Sequence, residues 1–450
     1  MLFRSDDAFR DGVRRYIARH AYGNTVTDDL WQSLDAHAAR PVRAIARDLT
    51  LQAGVPLIVE RDARCVAGRT QVTLSQQQFD VDAPRVARWH APVALAVLGG
   101  GNARAVVTGA APQRVSVPGC GPLVINAGQA SYLRVRYSDA GLAALTERFA
   151  QLSVDDRLGL LADTQALAFA GQLPMGAWLG LLRQVPAQQD PLVTGMLIDQ
   201  LTDLDNLVAG LPTRPAFRAF ARSLLDPIFA RVGWQAAEGE SGDAATLRVD
   251  LIVALGTFDD AAVVAEAQRR FTRFRADPAS LQGDAREAVL KVVAIRADAN
   301  DWDALHALAK AATTELEKAE DYELLGYVHD RDQAQRALAL AISGEPPATI
   351  AGRLLRSIGV VHPGPTLDFV ADHWAAVEPL YGDGAAATIA ARFFDTGADR
   401  AMLPRLDAFV EAHVPSATRG RIVKNAALIR YRAGVRDQRL PQADRWIAAQ

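Results

Sequence analysis

The sequence predicts a mostly α-helical chain with a small β-sandwich near its start. Short N-terminal helices come first, then an antiparallel sandwich, then a large α-helical superhelix of the HEAT/ARM type. Three observations carry this. Between Gln52 and Tyr137, short β-branched runs follow one another with turn residues between them and no helical period. After Tyr137, strand signals nearly vanish and helix follows helix to the C-terminus. At that junction stands SVDDRLGLLADTQALAFAG (153–171), a helix too apolar all round to lie on a surface. With 450 residues the chain is too long for one core. We expect three parts: a helical segment over 1–52, a β-sandwich over 53–138 and an α-helical domain over 139–450.

In the first part, Phe9, Val13, Tyr16, Ile17 and His20 share one helical face. Tyr22-Gly23-Asn24 is a stop and turn. Thr27 with Asp28 and Asp29 signals a new helix whose stripe begins at Leu30, Trp31 and Leu34, and Pro41 opens a third short helix. Strand candidates follow at 56–60, 64–68, 70–76, 88–98, 104–109, 121–128 and 131–137. Gly99-Gly100-Gly101-Asn102 lies between two of them with no helix behind it, which makes it a hairpin tip and not a phosphate cradle. Ser153 caps the junction helix, Asp155 and Asp156 complement its dipole, and Gly171 closes it in a left-handed conformation. Paired antiparallel helices then stack in an arc, with no fixed sequence period. Among them are helices over 319–329 and 366–380, and a polar loop at Ser241-Gly242-Asp243.

Half the residues are apolar and the formal net charge is −3, with both signs mixed and no basic block, which argues against nucleic acid. No apolar run is long enough to span a membrane, and MLFRSDDAFRDGVRRY lacks the apolar core of a signal peptide. Cys65 and Cys120 read as buried free thiols. The histidines are His20, His37, His90, His306, His329, His362, His373 and His413, and no two are four apart, so no helix offers a His-Glu-x-x-His zinc face. His329-Asp330-x-Asp332 reads as a helix cap, Asp372-His373-Trp374 as packing, and the charge run Glu315 to Asp321 as a solvated helical face. No catalytic, cofactor-binding or metal-ligating residue is assigned.

Several segments nevertheless carry a family likeness. Phe9, Gly12, Tyr16, Tyr22-x-Asn24 and Asp29-Leu30-Trp31 form one pattern. GVPLIVE (54–60), Gln76 to Phe79 and Trp89-x-x-Pro92-Val93 form a second. INAGQASYLRVRY (125–137), DRLGLLADTQALAFAG (156–171), and Gly233-Trp234 followed by Leu247-Arg248 complete the series. In this order they resemble the C-terminal portion of the aminopeptidase N family of zinc aminopeptidases, which includes the puromycin-sensitive and endoplasmic-reticulum enzymes. Leu49 stands where that family usually has tryptophan, Ser131 replaces a glycine and Leu133 an aromatic residue.

The resemblance implies a parent metallopeptidase that removes N-terminal residues from peptides. Its zinc site and exopeptidase motif belong upstream of residue 9, in a catalytic domain this chain does not contain. Met1-Leu2 resembles an internal pair just before the segment. The expected function is therefore the non-catalytic C-terminal region of a zinc aminopeptidase, inactive alone, which encloses and selects the peptide. A stand-alone helical scaffold that binds a peptide or protein is the alternative. Zinc belongs to the parent, not to this chain. The expected partners are peptide substrate, the missing catalytic domain and a second copy through 1–52. The compartment stays open, with cytoplasmic as the default.

Overall fold

The computed structural model describes residues 6–36, 38, 41–80, 87–109, 111–188 and 190–450, so that Met1-Leu2 and His37 lie outside the described residues. Contacts divide the chain into two compact units, Met1–Val185 and Pro186–Gln450.

The first unit begins with α1 (Asp6–Arg19), α2 (Thr27–Asp35) and α3 (Val42–Leu51). α1 meets α2 through Gly12: a Cβ there would lie 2.8 Å from Leu34 Cδ2. The Ser33 hydroxyl donates to the Gly12 carbonyl at 2.9 Å. The expected apolar stripe is only partly covered. Val13 and Trp31 are half-buried, whereas Phe9 and Ile17 are exposed. α3 is fixed to the sandwich by Asp48, which accepts from the backbone N–H of His90 at 2.6 Å and lies 2.7 Å from its Nδ1.

Among the described residues the sandwich has seven strands: β1 (Val55–Val66), β2 (Arg69–Phe79), β3 (His90–Val97), β4 (Asn102–Thr108), β5 (Gln113–Pro118), β6 (Leu123–Ile125) and β7 (Arg134–Arg136). One sheet has the order β5-β2-β1-β7 and the other β4-β3-β6. Ile58, Val72, Leu74, Val93, Leu95, Val107 and Val135 belong to the core they share. Three expectations are corrected. The runs at 56–60 and 64–68 form one strand that bulges between Glu60 and Asp62. β5 carries too short an alternation to stand out in the sequence. The β1–β7 pair is parallel, the exception in an otherwise antiparallel sandwich.

Gly99 to Asn102 do form the β3–β4 turn. The reading of Cys65 and Cys120 as buried free thiols is overturned. They are solvent-exposed and form a disulfide, with Cα atoms 5.3 Å apart. β5 pairs with β2, and the Gly119 N–H donates to the Gly68 carbonyl at 2.9 Å. The end of β5 thus meets the β1–β2 turn, which joins cysteines 55 residues apart.

α4 (Asp139–Glu147), α5 (Val154–Phe169) and α6 (Met175–Leu182) complete this unit. α5 has the ends its sequence announces: the Ser153 hydroxyl accepts from the Asp156 N–H at 3.2 Å, and Gly171 has φ +71°. It is buried broadly, with Leu160, Leu161, Leu167, Ala168 and Phe169 all inside. Motif residues dock it to the sandwich. Asp163 accepts from Arg134 at 3.1 Å and from the Val135 N–H at 2.8 Å, and Asp156 accepts from the Gly128 N–H at 2.7 Å. Gly159 leaves room for the Gln129 amide, since a Cβ there would lie 1.8 Å from Gln129 Nε2 and displace it.

The described residues of the second unit form helices joined by turns and loops, and its links recur at a similar offset. Arg286 binds Asp321, Arg296 binds Asp259, Arg353 binds Glu323, Arg405 binds Asp368 and Arg400 binds Asp437, across separations of 30 to 37 residues. The Ser357 hydroxyl reaches the Glu323 carbonyl 34 residues back, and the Asn425 amide reaches the Ala390 carbonyl 35 residues back. A helix pair of about this length is the structural repeat. Its markers are polar and change from pair to pair, which is why no sequence period shows. The arc brings its last helices back to its first: Arg432 pairs with Asp203, and Arg436 donates to the Leu207 and Ala209 carbonyls at 3.1 and 2.9 Å. Phe220 and Trp446 rings meet edge to face at 5.8 Å.

Other boundaries move for local reasons. Ser241 is a cap, accepting from the Ala244 N–H at 3.3 Å, so the expected polar loop opens the Gly242–Thr257 helix. The expected 366–380 helix breaks at His373, which leaves helical geometry (φ −116°, ψ 27°) while its ring stacks on Phe369 at 4.2 Å. The Gly233-Trp234 and Leu247-Arg248 landmarks are one clasp: Arg248 donates to the Gly233 carbonyl at 3.2 Å and forks onto Glu240.

Candidate functional site

In the second unit, a cavity of about 470 Å³ opens between the helices Gly283–Arg296 and Glu315–Leu324, with Arg353 beside it. Its walls follow helical spacing. Arg286, Glu287, Leu290 and Lys291 line one side, and Glu317, Glu320, Glu323, Leu324 and Tyr327 the other. Residues three and four apart on a helix share a face, so each wall is one helix face. Thr314 sets the second helix by accepting from the Glu317 N–H at 3.2 Å and donating to its carboxylate at 3.1 Å. The helix therefore starts at Glu315 and ends at Leu324, earlier at both ends than the 319–329 expected.

Two ion pairs hold the walls. Arg286 Nη2 donates to both carboxylate oxygens of Asp321 at 2.7 and 2.8 Å. Asp321 is only 1% exposed, which corrects the reading of Glu315 to Asp321 as an entirely solvated face. Burial pushes its carboxyl above the ordinary carboxylate range despite the guanidinium. Arg353 Nε donates to Glu323 at 2.9 Å, and the Tyr327 hydroxyl donates to the same carboxylate at 3.1 Å. Burial and then the Glu323 charge raise the Tyr327 phenol well above its ordinary value, which keeps it a neutral donor. The Lys291 ammonium lies 4.4 Å from the centre of the Tyr327 ring. The cavity thus offers both charges, a phenol and the apolar side chains of Leu290 and Leu324. Such a wall can hydrogen-bond a peptide backbone and sort its side chains by charge. Its described lining has no histidine, cysteine or serine.

Nearby in sequence, Glu345 accepts from the Tyr322 hydroxyl at 2.8 Å and lies 2.6 Å from His306 Nε2. Burial pushes Glu345 up, but the bonds from His306 and Tyr322 outweigh it and leave the carboxyl below its ordinary value. The same burial and carboxylate push Tyr322 up to about 12.

The histidine pattern resolves without a metal cluster. Asp330 caps the Arg331–Ala341 helix, accepting from the Asp332 and Gln333 N–H groups at 3.0 Å each. His329 is pushed down to about 4 by burial and by the charges of Arg214 and Arg218. His373 stacks on Phe369, and Trp374 packs on Phe409 and His413. Among the described residues no group of three or more His, Cys, Asp or Glu could hold a metal ion. The described donors do not fit a zinc site. No helix of the described residues is long and apolar enough to cross a membrane. Sequence reasoning missed Arg286, Lys291 and Arg353. The only signal was charge at helical spacing on helices that pack together, and pairing of helices is not written in one chain.

Comparison with known proteins agrees with this architecture. Residues 123–428 match the ERAP1-like C-terminal domain family. Aminopeptidase M1-A of Oryza sativa subsp. japonica is 26% identical over 373 residues, covering 78% of this chain and 42% of that protein. Aminopeptidase M1 of Arabidopsis thaliana is 28% identical over 328 residues, covering 68% of this chain and 37% of that protein. Aminopeptidase N of Lactococcus lactis subsp. cremoris is 27% identical over 299 residues, covering 63% and 34%. The chain spans less than half the length of each of these relatives. With the family matched over more than half of its residues, in the order its motifs announced, the chain belongs to the ERAP1-like C-terminal domain family and represents a C-terminal portion of an aminopeptidase N family enzyme.

Proposed function

We propose that this chain is the non-catalytic region of a zinc metallo-aminopeptidase, and that its helical unit holds the part of a peptide distant from the scissile bond. The supporting observation is the two-signed cavity between Gly283–Arg296 and Glu315–Leu324, in a chain whose relatives are named as aminopeptidases. In this reading hydrolysis occurs on zinc held by a separate catalytic domain. Lys291, Arg353, Glu320 and Glu287 choose among peptides by charge. The helical residues 1–52, sandwich 53–138 and helical region 139–450 are its successive spacers. Exposed Phe9 and Ile17 on α1 supply the surface on which the catalytic domain docks, or in its absence a second copy.

Photo-crosslinking the full chain to decapeptides of varied sequence tests the reading. Labels concentrated on the cavity walls, and weakened by Lys291→Glu with Arg353→Glu, are the expected result. Labels scattered elsewhere, or chelator-sensitive cleavage of an aminoacyl reporter by the purified chain, overturn it. Tight peptide binding by a chain that never meets a zinc domain would instead establish a stand-alone scaffold.

A further inference from the structure

The outer face of the four-stranded sheet carries a concentration of positive charge. Residues paired across neighbouring strands point to the same side of a sheet, as do alternate residues along one strand. Arg114 on β5 pairs with Thr73, and Arg64 on β1 pairs with Gln71. Thr73, Gln71 and Arg69 alternate along β2, so Arg114, Arg64 and Arg69 share one face. Ser75 continues that alternation. Arg61, at the bulge, donates to its hydroxyl at 2.9 Å, and Arg136 on β7 shares the register of Val59, which pairs with Ser75.

Arg134, two residues from Arg136 on β7, shares this face, so six arginines stand here among the described residues with one carboxylate of the sheet itself, Asp62. Among the described residues Arg61, Arg64, Arg69, Arg114 and Arg136 are in no ion pair, whereas Arg134, at the far end of the face, has Asp163 of α5 at 3.1 Å. Their bonds go to neutral groups instead: Arg69 to Ser116 at 2.8 Å, and Arg136 to Gln172 at 3.3 Å. Burial, then the like charge of Arg61, hold the Arg136 guanidinium below its ordinary value. A fold gains nothing from crowding like charges, and the whole chain is net negative.

We propose that this face docks an extended acidic polypeptide segment. Arg114, Arg64 and Arg69 occupy successive cross-strand rows two residues apart, about 6.8 Å along the strands. Alternate side chains of an extended peptide have that same spacing, so an acidic residue at every second position meets a guanidinium at each row. Arginine forks suit carboxylates in a bidentate manner. No Phe, Tyr or Trp stands among these rows to stack bases, which disfavours single-stranded nucleic acid. The Cys65–Cys120 disulfide lies at the edge of the face. It ties the end of β1 that carries Arg64 to the end of β5 that follows Arg114, so the rows are in place before a ligand arrives.

Fluorescence anisotropy of the full chain with a labelled decapeptide of alternating Glu and Ser tests the proposal. Arg64 and Arg114 are exposed and donate no side-chain hydrogen bond within the described chain, so R64E/R114E should fold as the parent does. That variant should weaken binding by about tenfold or more, and R64Q/R114Q by less. R392E/R430E, with the same change in net charge at exposed helical positions, should leave binding nearly unchanged. A peptide of the same composition with its glutamates contiguous should bind more weakly, and binding should fall as salt rises from about 50 to about 200 mM. Absence of binding, or equal loss in both double variants, overturns the proposal. So does tighter binding of heparin or of phosphatidylserine vesicles than of the peptide at these same arginines.

Discussion

Gln76 in the sandwich and Asp205 in the helical unit are each 1% exposed, yet they are satisfied by different chemistry. Gln76 donates to the Trp89 and Val107 carbonyls at 2.8 Å each and accepts from the Trp89 N–H at 2.7 Å, a neutral bridge between backbones of the two sheets. Asp205 receives Arg214 and Arg218, and Arg218 continues to Asp259, which Arg296 also binds. Asp259 adopts a left-handed conformation (φ +63°) just past a helix end. The difference follows from where each element spends its backbone hydrogen bonds. Strands use theirs on neighbours, so register is already set and an uncharged amide suffices to lock one sheet on the other. Helices use theirs internally, so the offset between neighbours must be set by side chains. Arginine reaches furthest with a fixed fork.

That contrast can be broken first at Arg218. Arg218→Ala leaves Asp205 and Asp259 short of a partner and should cost about 3–5 kcal/mol, with loss of hydrogen-exchange protection confined to the helical unit. Leu161→Ala, in the middle of buried α5, should cost about 2–5 kcal/mol and expose the first unit alone. If Arg218→Ala costs less than Leu161→Ala and loosens both units equally, the ionic links do not organise the helical array. The disulfide comes next. Cys65→Ser with Cys120→Ser, or reduction of the parent, should destabilise the sandwich by about 2–4 kcal/mol and leave the helical unit unchanged. A thiol assay finding two free cysteines in the folded, unreduced protein would remove its basis.

The smallest effect is a pair of slopes of opposite sign. Burial raises the Asp163 carboxyl from 3.8 to about 6, against the opposing Val135 N–H and Arg134. The folded state then holds this proton where the unfolded chain has lost it, so its contribution to stability falls as pH rises through that window. His329 is lowered from 6.5 to about 4, so its contribution rises as pH rises between those values. Comparing the parent with Asp163→Asn should remove a falling slope from the first unit, and comparison with His329→Gln a rising slope from the second. Slopes of the same sign in the two differences would contradict these assignments.

Much of the first unit was legible from sequence. Ser153, Asp156 and Gly171 terminate α5 as their chemistry requires. The motif Asn126-x-Gly128-Gln129 is structural: buried Asn126 has φ +64° and exchanges hydrogen bonds with Ser131 at 3.0 Å in each direction. Residues that resemble a family can mark either a site or a joint, and here those with described contacts are joints. The candidate cavity was not legible, because Glu317 and Glu320 look like any exposed helical charge until Arg286 and Lys291 stand opposite them. The cysteine pair failed for a related reason: β5 did not stand out in the sequence, and nothing local tells that it lies beside β2.

The sequence by itself determined the local elements and their ends, the change from β to α at Tyr137, and the family. Each of these depends on period, caps and turns within a few residues. Tertiary structure alone decided the Cys65–Cys120 bridge, the burial of Asp321, the closing of the helical unit through Arg432 and Asp203, and the gathering on one sheet face of five arginines outside any ion pair among the described residues. Those features join residues about 35 to 229 apart in the chain, or strands whose order is set by packing. Such pairings are chosen by the energy of the whole fold, which no local run of residues contains.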